Sequence, residues 1–292
     1  MTIREICPAK LNLGLRILRK RKDGFHDILS VFQTVTLFDE LELTPAARTG
    51  LAIEGVPVDA GDGNLVLKAG RLFGKRFGSS NPVSFGLRKR IPVGAGLGGG
   101  SSDAAAALRG LKRLARPGID DDSLIECAAE IGSDVPFALR GGTAIVSGRG
   151  DVVTPVAWPF DFTYVIVHPG FGVSTAWAYE HCRPRDESGD TLVRFIGKLA
   201  EGTACREDFI AGAVNDFEPV VFGKYTALAE VKRRLMEHGA ETAIMTGSGS
   251  AIFGVFPDAS LAESCAEALK GLYPTVETAH AFPDDLASRR TD

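Results

Sequence analysis

Residues 91–103 read IPVGAGLGGGSSD, and the run AAAAL follows directly at 104–108. A strand-like segment at 83–87 precedes them, so the local order is strand, glycine-rich loop and helix N-terminus. The backbone N–H groups at such a helix start have no intrahelical partner, and the helix dipole is positive there. The arrangement favours a bound phosphate. A flexible glycine linker is the alternative, but linkers are not bracketed by apolar strand and helix patterns.

The same loop contains a GxGxxG pattern at Gly94, Gly96 and Gly99. A dinucleotide-binding fold needs a strand directly after the first helix, ending in an acid that binds the ribose. Here Pro117-Gly118 and a second amphipathic helix at 121–131 follow instead, so we reject that fold. The chain contains no GxxxxGK[ST] loop and no HRD or DFG element, which excludes P-loop hydrolases and protein kinases.

Composition narrows the class of protein further. The 292 residues carry a net charge of −4, which argues against a general nucleic-acid binder. No apolar run approaches the roughly 18 residues of a membrane span, and the N-terminus does not resemble a signal peptide. Five scattered cysteines form no CxxC pair, as expected for thiols in a reduced cytosol. We therefore expect a cytoplasmic protein of about two domains, without nucleic-acid or membrane partners.

Hydrophobic patterning predicts the elements around the loop. Strands are predicted at 3–18, 28–43, 51–58, 143–146 and 152–156, and helices at 64–77, with Asn64 as N-cap, and 102–115. After a domain boundary near 158, strands are predicted at 162–167, 241–245, 251–256 and 275–281. Helices there are predicted to begin near 174 and to cover 191–200, 207–217, 227–238 and 260–272. This divides the chain into domains 1–157 and 158–283 and a polar tail, 284–292.

Three polar residues and a second glycine loop are candidates for a functional site, and the polar residues also have structural explanations. Lys10 and Asn12 share one face of the first strand, although lysine by default faces solvent. Asp134, between Gly-Ser and Val-Pro-Phe, suits a turn or an N-cap, or a partly dry cleft. A second glycine loop, TGSGS at 246–250, lies between two predicted strands.

Three segments resemble the motifs of the GHMP small-molecule kinases. PVGAGLGGGSS at 92–102 is similar to their P-x-x-x-G-L-G-x-[SG]-S-[SA] signature, PAKLNL at 8–13 to their first motif, and TGSGSAIF at 246–253 to their third. The resemblance implies a two-domain α+β fold with the site between the halves. The N-terminal half would resemble domain 2 of ribosomal protein S5, and the C-terminal half a ferredoxin-like α/β sandwich.

The resemblance also implies cofactors and residue roles. ATP and Mg²⁺ are the implied cofactors, with Asp134 as general base and Lys10 as the stabilising cation. Gly247, Ser248 and Gly249 would close over the phosphates, Asn64 and Lys89 would approach the adenosine, and Ser102 is a candidate magnesium ligand. The implied ATP loop consists of Pro92, Val93, Gly94, Ala95, Gly96, Leu97, Gly98, Gly99, Gly100, Ser101 and Ser102.

A finer resemblance points to the substrate. One branch of the superfamily phosphorylates the 2-hydroxyl of 4-diphosphocytidyl-2-C-methyl-D-erythritol, in the non-mevalonate route to isoprenoid precursors. Its motifs resemble three segments of this chain, DGFH at 23–26, GSDVP at 132–136 and HPG at 168–170. Asn12 would then orient the methylerythritol hydroxyls, Phe25 and Tyr179 would sandwich the cytosine, and His26 would read its polar edge. Phe25 replaces the tyrosine usual there, which keeps stacking but removes a phenol hydrogen bond.

Alternatives remain open at this point. Phe25 and Tyr179 also suit ordinary core packing. A GHMP kinase for homoserine or a sugar is the rival enzyme, and an ATP-binding regulator without transfer activity is the rival outside enzymes. Having both Lys10 and Asp134 speaks against the regulator, because a binder needs no base. We expect a monomer or a weak homodimer.

Overall fold

A computed structural model describes residues 2–78, 81–115, 118–183 and 190–282 of the chain. The predicted tail at 284–292 and the predicted helix stop at Pro117 lie outside these residues. No helix among the described residues is long and apolar enough to cross a membrane.

The first half of the chain alternates long strands with helices. In chain order its elements are Ile3–Lys20 (β1), His26–Pro45 (β2), Gly50–Gly55 (β3), Leu65–Phe77 (α1), Val83–Lys89 (β4), Gly99–Ala115 (α2), Asp121–Ile131 (α3), Val135–Arg140 (α4), Thr143–Ser147 (β5) and Val152–Pro155 (β6).

The sheet of this half is organised around β2. Its strand order is β3-β4-β2-β5-β6, and β1 pairs antiparallel along the length of β2. Strands β3 and β4 are parallel, so they need the crossover that α1 provides. Helix α2 lies close to the sheet because the side chains of its alanines at 104–107 are small, and all four are fully buried. A Cβ on Gly110 would lie 2.6 Å from Leu43 Cδ1, so that glycine permits the close approach.

The second half places helices against a smaller antiparallel sheet. Its elements are Thr163–His168 (β7), Thr175–His181 (α5), Thr191–Glu201 (α6), Arg206–Gly212 (α7), Glu218–Lys224 (α8), Thr226–Glu237 (α9), Thr242–Met245 (β8), Ile252–Phe256 (β9), Ala259–Leu269 (α10) and Thr275–His280 (β10). The strand order is β10-β7-β9-β8.

The two halves share a hydrophobic core. Leu11 and Leu13 of β1 pack in the same cluster as Leu97 of the glycine loop and as Tyr164 and Phe253 of the second sheet. This contact brings β1, the glycine loop and the loop between β8 and β9 to the junction between the halves. The boundary proposed near 158 falls between β6 and β7, and the exact domain limits stay a prediction.

Several predicted elements differ from the structure. The helix expected at 102–115 begins at Gly99, directly after Gly98 with its φ of +69°. The strand expected at 51–58 ends at Gly55, whose φ is +89°. The helix expected at 207–217 is wrong: α7 ends at Gly212, and a separate helix, α8, starts with a proline in its first turn. Helix α4 was not predicted, because six residues are too short to show a helical period.

Candidate active site

A cavity of about 820 Å³ opens between the two halves of the chain. Its walls include side chains or backbone of all three motifs together with aromatic and charged residues from both halves. The residues that line the cavity include Lys10, Asn12, Lys20, Phe25, His26, Phe32, Gly96, Gly98, Asp134, Arg149, Thr175, Tyr179, Glu180, Gly247 and Ser248.

Lys10 and Asn12 point into this cavity from an irregular part of β1. The β1–β2 register shifts on either side of them, between Pro8 and Lys10 and between Asn12 and Gly14. Such bulges re-aim side chains next to functional sites. Lys10 Nζ donates to Asn12 Oδ1 at 2.5 Å, which confirms that the two residues share a face. Lys10 is only 6% exposed, in contrast to the solvent-facing default for lysine.

Asp134 faces Lys10 from the other side of the cavity. It occupies the N-cap position of α4, but its carboxylate makes no capping hydrogen bond with the described residues. Instead Oδ2 lies 3.9 Å from Lys10 Nζ, and the carboxylate is about one-third exposed. The arrangement leaves the Asp134 carboxylate accessible from the cavity.

Burial controls the charge of Lys10. Removal from water lowers the pKa of the ammonium, and the nearby Asp134 carboxylate partly offsets that effect. The ammonium also lies 4.7 Å from the centre of the Phe32 ring, which attracts a cation. The site therefore holds a lysine whose positive charge is weakly solvated and available to a reacting anion.

The glycine loop contacts both neighbouring motifs through its backbone. Gly94, Gly96 and Gly98 all have positive φ, between +67° and +78°. A Cβ on Gly96 would lie 2.1 Å from the carbonyl oxygen of Thr246, and one on Gly98 would lie 2.8 Å from Lys10 Cγ. These two glycines are needed both for conformation and for close approach.

Hydrogen bonds lock the three motifs together. Lys10 N donates to the Leu97 carbonyl at 2.9 Å. Thr246 Oγ1 donates to the Gly96 carbonyl at 3.1 Å and accepts from Asn12 N at 3.1 Å. Ser248 of the same loop is hydrogen-bonded to Thr175 at the start of α5, at 2.9 Å between the hydroxyl oxygens. Segments up to 234 residues apart in sequence thus form one continuous wall.

Two buried oxygens at the start of α2 have no protein partner among the described residues. They are Ser102 Oγ and Asp103 Oδ1. Ser102 follows the predicted phosphate loop directly, and its residue is 1% exposed. Buried polar atoms are normally satisfied, so an orphaned hydroxyl here fits a ligand that is bound during turnover.

Lys89 and Asn64, the residues predicted to approach the adenosine, both have structural partners in the protein. Lys89 is 4% exposed, and its ammonium donates to Asp39 at 2.5 Å and to Asp103 at 2.7 Å. Burial opposes its charge, but the two carboxylates outweigh that effect and raise its pKa. Asn64 caps α1, accepting from Val66 N at 2.9 Å. Both side chains are held by these partners, and their contact with the adenosine stays a prediction.

Aromatic residues form the outer end of the cavity. Tyr179 stacks on His26, with ring centres 4.9 Å apart and an interplanar angle of 16°. Phe25 is 50% exposed, so core packing does not explain it. Burial, with a smaller effect of Lys20, lowers the pKa of His26, and burial raises that of Tyr179 to about 12. At neutral pH both rings are uncharged.

The sequence reasoning missed the charged residues at this end. Arg149 lies with its guanidinium carbon 5.5 Å from the centre of the Phe25 ring and donates to Asp151. Lys20 and Glu180 also line the cavity. Arg149 is at the tip of the hairpin between β5 and β6, so its Gly-Arg-Gly setting indicated a turn and gave no sign of a binding role.

Two family models match this chain. The model for the GHMP kinases N terminal domain matches residues 64–142, and the model for the GHMP kinases C terminal domain matches residues 202–275. The fold and the site define an ATP-dependent small-molecule kinase of the GHMP family.

Individual relatives narrow the assignment. The 4-diphosphocytidyl-2-C-methyl-D-erythritol kinase of Pelotomaculum thermopropionicum is 41% identical, with 91% of this chain and 93% of that protein aligned. The enzyme of that name from Chlorobium phaeobacteroides is 38% identical, over 94% and 96% of the two chains. A crystal structure of 4-(cytidine 5'-diphospho)-2C-methyl-D-erythritol kinase superposes with a TM-score of 0.80 at 34% identity, covering 96% of this chain and 100% of that one. This chain belongs to the 4-diphosphocytidyl-2-C-methyl-D-erythritol kinase family.

More distant structures show the fold alone. Homoserine kinase from Cytophaga hutchinsonii superposes with a TM-score of 0.75 at 19% identity, over 97% of this chain and 95% of that one.

Proposed function

We propose that this protein transfers the γ-phosphoryl group of ATP to the 2-hydroxyl of 4-diphosphocytidyl-2-C-methyl-D-erythritol, giving the 2-phosphate and ADP. The observation that carries the proposal is the pairing of Lys10 with Asp134, 3.9 Å apart, in a cavity bordered by the glycine loop. We also propose that the enzyme acts in the cytoplasm, as a monomer or a weak homodimer.

The ATP phosphates bind the glycine loop at 92–102. The first backbone N–H groups of α2 have no intrahelical partner, and with the helix dipole they supply donors and positive potential to the phosphate oxygens. Gly247 and Ser248 bound the same space from the second half and cover the transferring group. Positioning of this kind is the main contribution of a protein to phosphoryl transfer.

Ser102 would supply a ligand to a bound magnesium ion. Its buried, unpartnered hydroxyl suits a hard cation that takes oxygen ligands and keeps several waters. When bound, the ion neutralises charge on the phosphate oxygens.

Asp134 accepts the proton of the substrate hydroxyl as its oxygen attacks phosphorus. Lys10 stabilises the negative charge that develops on this oxygen and on the phosphoryl group, because its ammonium is desolvated and lies in the same part of the cavity. Asn12, held by Lys10 Nζ, orients the neighbouring hydroxyls of the acceptor.

The aromatic end of the cavity binds the cytidine portion of the acceptor. Phe25 and Tyr179 offer faces for the flat base, and His26 reads its polar edge. His26 stacks on Tyr179, so the position of each ring depends on the other. Arg149 and Lys20, which line the same end, supply positive charge for the acceptor's diphosphate.

Phosphorus NMR of the reaction mixture tests the proposal. Incubation with ATP, Mg²⁺ and the cytidylated acceptor is expected to produce a phosphomonoester resonance together with ADP. Parallel incubation with homoserine is expected to give none. Turnover of homoserine without turnover of the cytidylated acceptor would refute the substrate assignment.

A further inference from the structure

The segment from Asn215 to Glu218, the first residue of α8, contacts the second glycine loop directly. Asn215 is 5% exposed, and its amide nitrogen donates to two carbonyl oxygens, Met245 at 2.6 Å and Gly247 at 2.8 Å. Its amide oxygen accepts from Phe217 N at 2.9 Å. Both amide N–H groups and the amide oxygen thus have partners. Glu218 extends the contact, because its carboxylate accepts from Met245 N at 2.9 Å.

The same segment is fixed to β1. The backbone of Leu15 donates to Val214 at 2.7 Å and accepts from Asp216 at 3.1 Å. The Asp216 carboxylate accepts from Ile17 N at 2.9 Å and from the Arg16 guanidinium at 2.7 Å. A buried, charge-assisted attachment of this kind allows little displacement.

Strand β1 also carries Lys10 and Asn12. Besides the direct hydrogen bond between Thr246 and Asn12, the second glycine loop therefore has a second connection to the reacting groups: from Gly247 through the Asn215 side chain to Leu15, and along β1 to Asn12. We infer that Asn215 is a positioning residue that sets the distance of the Gly247–Ser248 loop from Lys10 and Asn12. It does so without contacting either substrate.

This inference deepens the proposed function, because it gives the loop a fixed position over the transferring phosphoryl group. Substitution of Asn215 by aspartate keeps the shape of the side chain but replaces both donors with an acceptor that faces two carbonyl oxygens. The loop then has to move away from Asn215. A misplacement of about 1 Å at the reacting atoms costs on the order of 100-fold in rate.

Steady-state kinetics and hydrogen exchange on the full chain test the inference. Asn215→Asp is expected to lower kcat by about 100-fold and Asn215→Ala by about 10-fold, with faster amide exchange in the peptide that covers 246–250. The alanine variant buries no charge, so it serves if the aspartate variant does not fold. Exchange is measured without ligands, so it decides the inference even if the chain does not phosphorylate the cytidylated acceptor.

Gln33→Glu is the matched control. Gln33 is another buried amide at the junction of the halves, donating to Thr143 Oγ1 at 3.0 Å and accepting from Tyr164 at 2.5 Å, but it does not line the cavity. It is expected to retain kcat within about 3-fold and to leave exchange at 246–250 unchanged. Equal losses of kcat in the Gln33 and Asn215 variants, or unchanged exchange at 246–250 in both Asn215 variants, would overturn the inference.

Discussion

The ammonium of Lys10 lies 3.9 Å from Asp134 Oδ2 but only 2.5 Å from Asn12 Oδ1. The longer distance exceeds that of a hydrogen bond, so the ammonium and the carboxylate face each other across a gap. Because Lys10 is buried and the Asp134 carboxylate is about one-third exposed, the carboxylate is the more accessible of the two groups. An acceptor hydroxyl fits this arrangement, since one neighbour accepts its proton and the other stabilises the resulting anion.

Replacement of Asp134 by asparagine removes the proposed base without changing the size of the side chain. We expect kcat to fall by about 10²–10⁴-fold, the usual contribution of general-base catalysis, while ADP still binds to the glycine loop. Stopped assays for ADP production and calorimetric titration with ADP measure the two effects. Asp258→Asn, at the N-cap of α10, is the control, because asparagine caps a helix equally well. Full activity of Asp134→Asn would exclude the carboxylate as the base.

The lowered pKa of Lys10 predicts the alkaline side of the pH profile. Burial disfavours the ammonium, so its positive charge is lost at a lower pH than in a solvated lysine. We expect kcat to fall as pH rises through this lowered pKa, below the ordinary value of about 10.4. Arginine stays charged throughout, so Lys10→Arg is expected to lack this alkaline decline even if its kcat is lower. An identical decline in both enzymes would assign it to another group.

Much of the site could be predicted from the sequence because its motifs are local. The glycine loop has a strand before it and a helix after it, and alternation along β1 places Lys10 and Asn12 on one face, as their hydrogen bond confirms. The N-cap of α1 at Asn64 was also predicted correctly. Each of these features depends on residues within a few positions of one another.

The features that sequence analysis missed depend on contacts between distant segments. Lys89 looks like any strand-end lysine until β2 and α2 bring Asp39 and Asp103 to its ammonium. Arg149 reaches the cavity only because the β5–β6 hairpin folds next to Phe25. The approach of these segments depends on tertiary packing, and no periodicity in the sequence predicts it.

Truncation of Tyr179 tests the aromatic end of the cavity. Base stacking on an aromatic side chain contributes about 1–3 kcal/mol, so Tyr179→Ala is expected to raise KM for the cytidylated acceptor roughly 5- to 150-fold. The KM for ATP is expected to stay within about 2-fold, because Tyr179 is not part of the proposed ATP loop at 92–102. Tyr179→Phe keeps the ring that stacks on His26 and is expected to behave like the wild type. An equal rise of KM for both substrates would indicate a general disturbance of the site.

In the buried cluster of Lys89, Asp39 and Asp103, we expect loss of the cation and loss of one carboxylate to change the free energy of unfolding very differently. One ammonium serves two carboxylates, and burial raises the pKa of Asp103 to about 7. Lys89→Met leaves both carboxylates without a cation and is expected to lower the free energy of unfolding by about 3–5 kcal/mol. Asp103→Asn removes the excess negative charge, leaves Lys89 paired with Asp39, and is expected to change stability by no more than about 1 kcal/mol at pH 7.

The pH dependence of this cluster separates the two variants further. A raised carboxyl pKa means that the folded protein binds a proton between about pH 4 and 7 that the unfolded chain has released, so this group's contribution to stability is lost as pH rises through that interval. Asparagine at 103 does not titrate. We therefore expect Asp103→Asn to gain stability relative to the wild type as pH increases from 5 to 8, measured by urea unfolding at each pH. A difference that stays constant with pH, or a loss in Asp103→Asn as large as in Lys89→Met, would mean that the Asp103 carboxylate is ionised in the folded protein.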